Sequence, residues 1–236
     1  MRLASLRSLS GRRALLAVAV ASALVLGATT TPAADPVGGA AENHYIGAAQ
    51  CRSCHKANGS GNQYGKWESI KHSDAFVTLG TDAAKEVAKK AGVEDPQTDA
   101  RCLKCHVTGA GEAEDKFAAS FELEMGVQCE SCHGMGELHK KTRFAAAANA
   151  KPGERMSVTA EEIDSSPSPQ GCLSCHNKES PTYKPFCFAK AQQEIRHLDP
   201  RKKRTPEEQA LIDGACGCGD TCSCDGSTDA SCGAAK

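Results

Sequence analysis

The chain has 236 residues with 28 basic and 29 acidic side chains, and its formal net charge of −1 gives no reason to expect a nucleic-acid partner. Aromatic residues make up only 4% of it, and beyond residue 34 there are no long runs of Leu, Ile or Val. An ordinary core of apolar side chains is therefore not expected, and large apolar cofactors are needed to fill the interior.

The first 34 residues are predicted to be an export signal. Four arginines, from Arg2 to Arg13, precede an apolar run over residues 14–28, and small residues follow up to Ala34. The run is too short to span a bilayer comfortably, so a cleaved signal peptide is favoured over an uncleaved membrane anchor. We therefore expect a periplasmic protein with no stable membrane span after cleavage, or an anchored form if the signal is retained. Residues 35–42 are expected to be a flexible N-terminal segment.

Three helices are predicted from residue patterns in the rest of the chain, over residues 64–79, 82–91 and 186–197. Thr205 followed by Pro206 is typical of a helix start, so a further short helix is expected within a linker over residues 199–214. No segment of useful length alternates between apolar and polar residues, so little sheet is expected. The predicted fold class is mainly α.

A five-residue pattern, Cys-x-x-Cys-His, occurs four times in the chain. Its cysteine pairs are Cys51 and Cys54, Cys102 and Cys105, Cys129 and Cys132, and Cys172 and Cys175, followed by His55, His106, His133 and His176. Two thiols one helical turn apart match the two vinyl groups of a haem, and the adjacent histidine reaches the iron. Zinc sites or disulfides would leave the four repeated histidines unexplained. The sequence therefore predicts four covalently bound haem c groups, with a short helix at each motif.

Four further histidines, His44, His72, His139 and His197, are the candidates for a second axial ligand. His72, His139 and His197 are favoured, because His44 lies near the expected mature N-terminus. Methionine is a weaker candidate, since Met135 follows His133 so closely that it is held on the same side of that haem. Two histidine ligands also imply a low reduction potential.

The C-terminal residues 215–236 form a Cys-rich segment that is expected to be a flexible tail. It contains Cys216, Cys218, Cys222, Cys224 and Cys232 but no histidine, so no further haem is expected there. These cysteines could form disulfides, with Cys187 making the number even, or could bind a soft metal as thiolates. The tetrahaem domain itself is predicted over residues 43–198.

Over roughly residues 45–198 the chain resembles the tetrahaem cytochrome c-554 family, whose members accept electrons in hydroxylamine oxidation. The residues that carry the resemblance are Tyr45-Ile46-Gly47, Trp67, Lys71-His72-Ser73, Phe76, Leu79, Cys105-His106-Val107-Thr108-Gly109, the stretch from Gly126 to Gly134, and His139. The chain departs from the family pattern at Met135, where relatives usually have proline, and in a shorter segment after the fourth motif.

The resemblance implies short helices and loops packed around four stacked haems. It also implies that His139 ligates the iron of His55, that His197 ligates that of His133, and that His72 ligates that of His176. His106 would then be the only protein ligand of its iron.

These features predict an exported tetrahaem cytochrome that transfers electrons between redox-partner proteins through mostly bis-histidine haems. Such a protein needs no catalytic acid, base or nucleophile, so no catalytic residue is assigned. The alternative is an enzyme that reduces nitric oxide or another nitrogen oxide at the second haem.

Overall fold

The computed structural model describes residues 42–151, 157–206 and 209, which lie within one compact unit. Within these ranges the chain is built from short helices joined by turns. The α-helices are α1 (Ala48–His55), α2 (Gln63–Glu68), α3 (Ala75–Leu79), α4 (Asp82–Lys90), α5 (Ala100–His106), α6 (Cys129–His133), α7 (Glu137–Asn149), α8 (Pro169–Leu173) and α9 (Phe188–Ile195). Three 3-10 helices, η1 (Asn58–Ser60), η2 (Glu114–Lys116) and η3 (Leu123–Met125), complete the set.

The described ranges contain no β-strand, and their single extended pairing is an isolated parallel bridge between Tyr45 and Phe117. The rings of these two residues stack with centroids 5.2 Å apart. The prediction of a mainly α fold is confirmed. No helix in the described part of the chain is long and apolar enough to cross a membrane.

Helix α4 begins and ends where its sequence indicates. The Thr81 side chain accepts a hydrogen bond from the Ala84 N–H, and Asp82 lies in the first turn, where a negative charge is favourable. Lys89 and Lys90 lie in the last turn, and Gly92 follows with a positive φ of 66°. The helix predicted over residues 82–91 is thus confirmed, and α9 lies within the prediction for residues 186–197.

The single helix predicted over residues 64–79 is wrong in one respect, because the structure has two helices there, α2 and α3, separated by a turn. Ser69 Oγ donates to the Lys66 carbonyl at 2.7 Å, and Ser73 Oγ donates to the Ile70 carbonyl at 2.8 Å. Serine side chains that bond nearby carbonyls in this way compete with the helical pattern. The resulting turn carries His72.

Other sequence predictions fall outside the described residues. These are the signal over residues 1–34, nearly all of the segment 35–42, most of the helix expected after Thr205, and the Cys-rich tail over residues 215–236.

Helix α7, in contrast, is well described but was not predicted, although an alanine-rich stretch forms its second half.

The buried apolar side chains are few, and their main cluster consists of Ala48, Tyr64 and Trp67, with Met125 and Cys129 packed against it. The indole Nε1 of Trp67 donates to the Val127 carbonyl at 2.8 Å, which fastens α2 to the segment before α6. Since side chains alone supply so small a core, the structure is consistent with an interior completed by large apolar groups.

Candidate haem-binding site

The four Cys-x-x-Cys-His motifs adopt helical backbone. The first two lie at the C-terminal ends of α1 and α5, and the third forms the whole of α6. The fourth begins in α8 and ends in a turn, where the His176 N–H still donates to the Cys172 carbonyl at 2.9 Å. A helical turn brings both cysteines and the following histidine to one side of the backbone. Among the described residues the eight motif cysteines form no disulfide, so their thiols remain available for thioether bonds.

Six of the eight histidines stand in three facing pairs, each joining a motif histidine to a distant one. The ring centroids are 6.3 Å apart for His55 and His139, 6.1 Å for His72 and His176, and 5.9 Å for His133 and His197. The structure thus brings His72, His139 and His197 each to a different motif.

The separation within each pair fits one iron atom between the two rings. An imidazole nitrogen lies about 2 Å from a bound metal and about 1 Å from its own ring centroid, so two axial ligands place their centroids about 6 Å apart. Stacked rings lie closer, as His176 and Phe186 do at 4.5 Å. No cluster of three or more His, Cys, Asp or Glu ligands occurs in the described ranges. Two histidines alone suit an iron whose other four ligands come from a porphyrin.

The hydrogen bonds of several rings leave the metal-binding nitrogen free. Nδ1 lies 2.7 Å from the Ala75 carbonyl oxygen in His106, 2.6 Å from that of Asp164 in His133, and 2.8 Å from that of Ile195 in His197. Because a carbonyl can only accept, Nδ1 carries the proton in each ring, and Nε2 keeps its lone pair for a metal.

Burial lowers the pKa of four of the paired histidines, His72, His139, His176 and His197, below that of a free imidazole. A lowered pKa favours the neutral ring. The neutral ring is the form that can ligate iron.

The two remaining histidines have different surroundings. His44 Nδ1 lies 2.5 Å from a carboxylate oxygen of Glu137, at the start of α7, and the neighbouring Asn43 side chain accepts a bond from the Leu138 N–H. His44 is therefore held at α7. His106 faces no other histidine ring in the part of the chain that the structure describes, so its iron would have a single histidine ligand.

Two buried polar side chains around the third motif hold the chain that enters the first. The Glu130 carboxylate accepts backbone N–H bonds from Ile46 at 2.9 Å, Gly47 at 2.8 Å and Gly136 at 2.7 Å. Burial raises the pKa of Glu130, and the three N–H bonds work against that rise. Since every partner is a donor, the ionised carboxylate is the form that fits.

Gln128 makes a second connection beside Glu130. Its side-chain oxygen accepts from the Ala48 N–H at 2.6 Å, its side-chain nitrogen donates to the Glu122 carbonyl at 2.9 Å, and its backbone N–H donates to Thr108 Oγ1 at 2.8 Å. Both residues lie in the stretch from Gly126 to Gly134 that carries the family resemblance, but no role was predicted for either of them. The signal that could have found them is the presence of polar residues beside the cysteines of a motif that must be buried.

The segment before α6 also positions His72. The Val127 N–H donates to the His72 carbonyl at 3.0 Å, and Gly126 has a φ of 71°. A Cβ atom on Gly126 would lie 2.8 Å from the same His72 carbonyl oxygen, so only glycine permits this approach.

The motifs are neighbours in space in an order that differs from their order in the chain. Helix α1 contacts α6, which joins the first motif to the third. Helix α6 contacts α8, where the fourth motif begins, which joins the third to the fourth. Cys175 Sγ lies 3.9 Å from the Lys104 carbonyl, which joins the fourth to the second. The attachment sites therefore form one row, in the order first, third, fourth and second.

Comparison with known proteins agrees with these features. Residues 50–134, which contain the first three motifs and His72, match the family model described as cytochrome c554 and c-prime. Over this segment, about a third of the chain, the sequence is similar to the cytochrome c554 family. Cytochrome c-554 from Nitrosomonas europaea is 34% identical over 76 residues, which are 31% of this chain and 30% of that protein.

The fold likeness to cytochrome c554 extends further along the chain. The solved structure of reduced cytochrome c554 from Nitrosomonas europaea matches with a TM-score of 0.51 and 24% identity, over 74% of this chain and 96% of that one. At this identity the likeness shows a common fold. The fourth motif, His139 and His197 lie beyond the matched family segment, so their roles depend on the histidine geometry described above.

Proposed function

We propose that the protein is a multihaem c-type cytochrome that transfers electrons between redox-partner proteins in the periplasm. The observation that carries the proposal is the set of three histidine pairs, each with ring centroids 5.9–6.3 Å apart, at three of the four Cys-x-x-Cys-His motifs. The similarity of residues 50–134 to the cytochrome c554 family supports the same function. The domain limits 43–198 and the periplasmic location, which depends on cleavage of residues 1–34, belong to this proposal.

The chain's own residues have three roles in it. The eight motif cysteines attach four haem c groups by thioether bonds, and His55, His106, His133 and His176 are the proximal ligands. His139, His72 and His197 are the distal ligands at the first, fourth and third motifs respectively. A haem held in this way supplies one-electron chemistry at iron, with a potential set by its ligands and surroundings.

The row of attachment sites favours a carrier over a set of isolated redox centres. The elements that carry the motifs adjoin one another in the order first, third, fourth and second, so neighbouring sites in this order are adjacent. Such an arrangement lets electrons that enter near one motif leave near another. No step requires a proton donor or nucleophile from the chain.

The number of attached haems tests the proposal. The purified protein, treated with acidified acetone to remove unattached haem, should have an intact mass equal to the polypeptide plus four haems. Reductive titration should then take up four electrons per chain and release them reversibly. Two or fewer attached haems would contradict the assignment of one haem to each motif.

A second candidate function is the reduction of a small nitrogen oxide at the site of His106. The observation that favours it is the absence, within the described ranges, of a histidine ring facing His106, together with the position of His44 against Glu137. A carrier would bind nitric oxide there without turnover. A reductase would consume it continuously when supplied with electrons.

A further inference from the structure

The carboxylate of Glu162 is buried beside a proposed iron ligand, in a tight turn between α7 and α8. Its residue is only 6% exposed. One carboxylate oxygen, Oε1, lies 2.5 Å from a guanidinium nitrogen of Arg143 on α7 and 3.4 Å from the Thr159 N–H nitrogen. The ion pair with Arg143 fixes the orientation of the carboxylate.

The other carboxylate oxygen faces His139. Glu162 Oε2 lies 3.4 Å from His139 Nδ1, and both atoms are buried without a hydrogen-bond partner in the part of the chain that the structure describes. When Nε2 of His139 binds a metal, Nδ1 must carry the proton and needs an acceptor. Glu162 Oε2 lies where it can accept a hydrogen bond from this N–H group.

This partner differs in charge from those of the other ligands. His106, His133 and His197 each direct Nδ1 to a neutral backbone carbonyl, and His55 Nδ1 lies 3.4 Å from the neutral side-chain oxygen of Gln63. Among the described contacts, His139 is the proposed ligand whose Nδ1 faces a carboxylate. A charged acceptor makes the imidazole more basic and a stronger electron donor to the metal.

We propose that Glu162 is a positioning residue that lowers the reduction potential of the haem held between His55 and His139. It would do so by orienting His139 through Nδ1 and by stabilising the additional positive charge of the oxidised iron. The inference rests on the proposed function, since it requires a haem at the first motif.

The same turn also serves the neighbouring site. The Asp164 carbonyl accepts from His133 Nδ1, and the Asp164 N–H donates back to the His133 carbonyl at 3.0 Å. Residues 159–164 thus contact histidines at the first and third motifs. They offer a carboxylate to one and a peptide oxygen to the other, which distinguishes two adjacent sites electrostatically.

The test is a redox titration of the full-length haem protein and of Glu162→Gln, followed by electron paramagnetic resonance. The signal of the first-motif haem is identified as the low-spin signal lost in His139→Ala. Removing the charge should favour the reduced form of this haem about tenfold at a fixed solution potential, an upward shift of ~59 mV for a one-electron couple. The other three midpoint potentials should move much less.

Glu161→Gln is the matched control, because it removes the same charge from the exposed neighbouring position. An equal shift in Glu161→Gln would show a general charge effect and overturn the proposal. An unchanged potential in Glu162→Gln, with the haem attached and low-spin, would overturn it while leaving the proposed function intact. Absence of haem from the first motif of the unmodified protein would instead contradict the proposed function.

A second measurement applies if Glu162→Gln fails to mature. The second measurement is nuclear magnetic resonance of the unmodified, reduced protein labelled with ¹⁵N-histidine. The ¹⁵N chemical shift of His139 Nδ1 should indicate a stronger hydrogen bond than that of His197 Nδ1, which faces a carbonyl. Equal Nδ1 shifts for the two rings would contradict the role of Glu162.

Discussion

Buried polar side chains at the third motif connect it to the first. Glu130 is the residue after the first cysteine of the motif Cys129-Glu130-Ser131-Cys132-His133, and Gln128 directly precedes that cysteine. Both side chains accept hydrogen bonds from the backbone at the start of α1. They bring two attachment sites together through hydrogen bonds, where a larger protein would use apolar packing. A small side-chain core makes such bonds more important, since little else holds the loops before the cofactors are attached.

Glu130→Gln should destabilise the protein, because the amide would present an N–H group to at least one of the three backbone donors. Loss of a charge-assisted bond and the resulting unpaired donor cost about 2 kcal/mol, which lowers Tm by about 4–8 °C in a domain of this size. Thermal unfolding of the haem protein, followed by circular dichroism, measures the change. Glu124→Gln, at an exposed position, is the control and should leave Tm nearly unchanged. Equal Tm values for the two variants would show that the three bonds contribute nothing.

For individual residues, the sequence identified the members of the repeated motifs but not the buried side chain that occurs once, outside them. The motif cysteines and histidines could be recognised because one spacing is repeated four times. The distal histidines could be proposed because few histidines remained, and the structure places three of them opposite motif histidines. Glu162 could not be recognised, since a single glutamate outside the motifs carries no sign in the sequence of being buried.

Among the secondary-structure elements, the turn between α2 and α3 has the most direct connection to the site. It carries His72, and the His72 carbonyl accepts a hydrogen bond from the segment before α6. It also leads to Ala75, whose carbonyl accepts a hydrogen bond from His106 Nδ1. One short turn therefore affects the proposed ligands of both the second and the fourth motifs.

Gly126→Ala should displace His72 from the fourth site. The new Cβ would lie 2.8 Å from the His72 carbonyl oxygen, and the positive φ of 71° is one that residues other than glycine rarely adopt. We expect one haem, that of Cys172 and Cys175, to change from low spin to high spin in the oxidised protein. The loss should appear in the low-spin electron paramagnetic resonance intensity.

Gly92→Ala provides a control at another glycine with a positive φ. Gly92 has a φ of 66°, and a Cβ there would meet no atom within 4 Å, so alanine is placed at a positive φ without the collision. Its low-spin intensity should equal that of the unmodified protein. If both variants retain all their low-spin haems, the close approach of Gly126 does not position His72.

Helices with strong local signals could be predicted, and those governed by tertiary contacts could not. Thr81, the first-turn acid and the last-turn lysines determine α4 locally, so its bounds were found nearly correctly. The helix expected over residues 64–79 is divided because Ser69 and Ser73 bond nearby carbonyls at a point where the chain must present His72. The N-cap residue of α7 is Gly136, which has no side chain to bond the first turn, and the Leu138 N–H is bonded instead by the distant Asn43, so no local signal marks the start of this helix in the sequence.

For the whole molecule, the predicted mainly α fold agrees with the structure, whereas the arrangement of the sites could not be read from the chain order. The motifs follow one another as first, third, fourth and second in space because contacts between α1 and α6, and between α6 and α8, are long-range. Such contacts depend on how loops close around the cofactors, and nothing in the local sequence specifies them.

The central claim is that three irons are held between facing histidines and that the iron of His106 has one histidine ligand. Quantitative electron paramagnetic resonance of the fully oxidised protein tests it most directly. We predict three low-spin haems and one high-spin haem per chain, with a high-spin signal that persists in His44→Ala, because His44 is bonded to Glu137. Four low-spin haems, with one becoming high-spin in His44→Ala, would contradict the account.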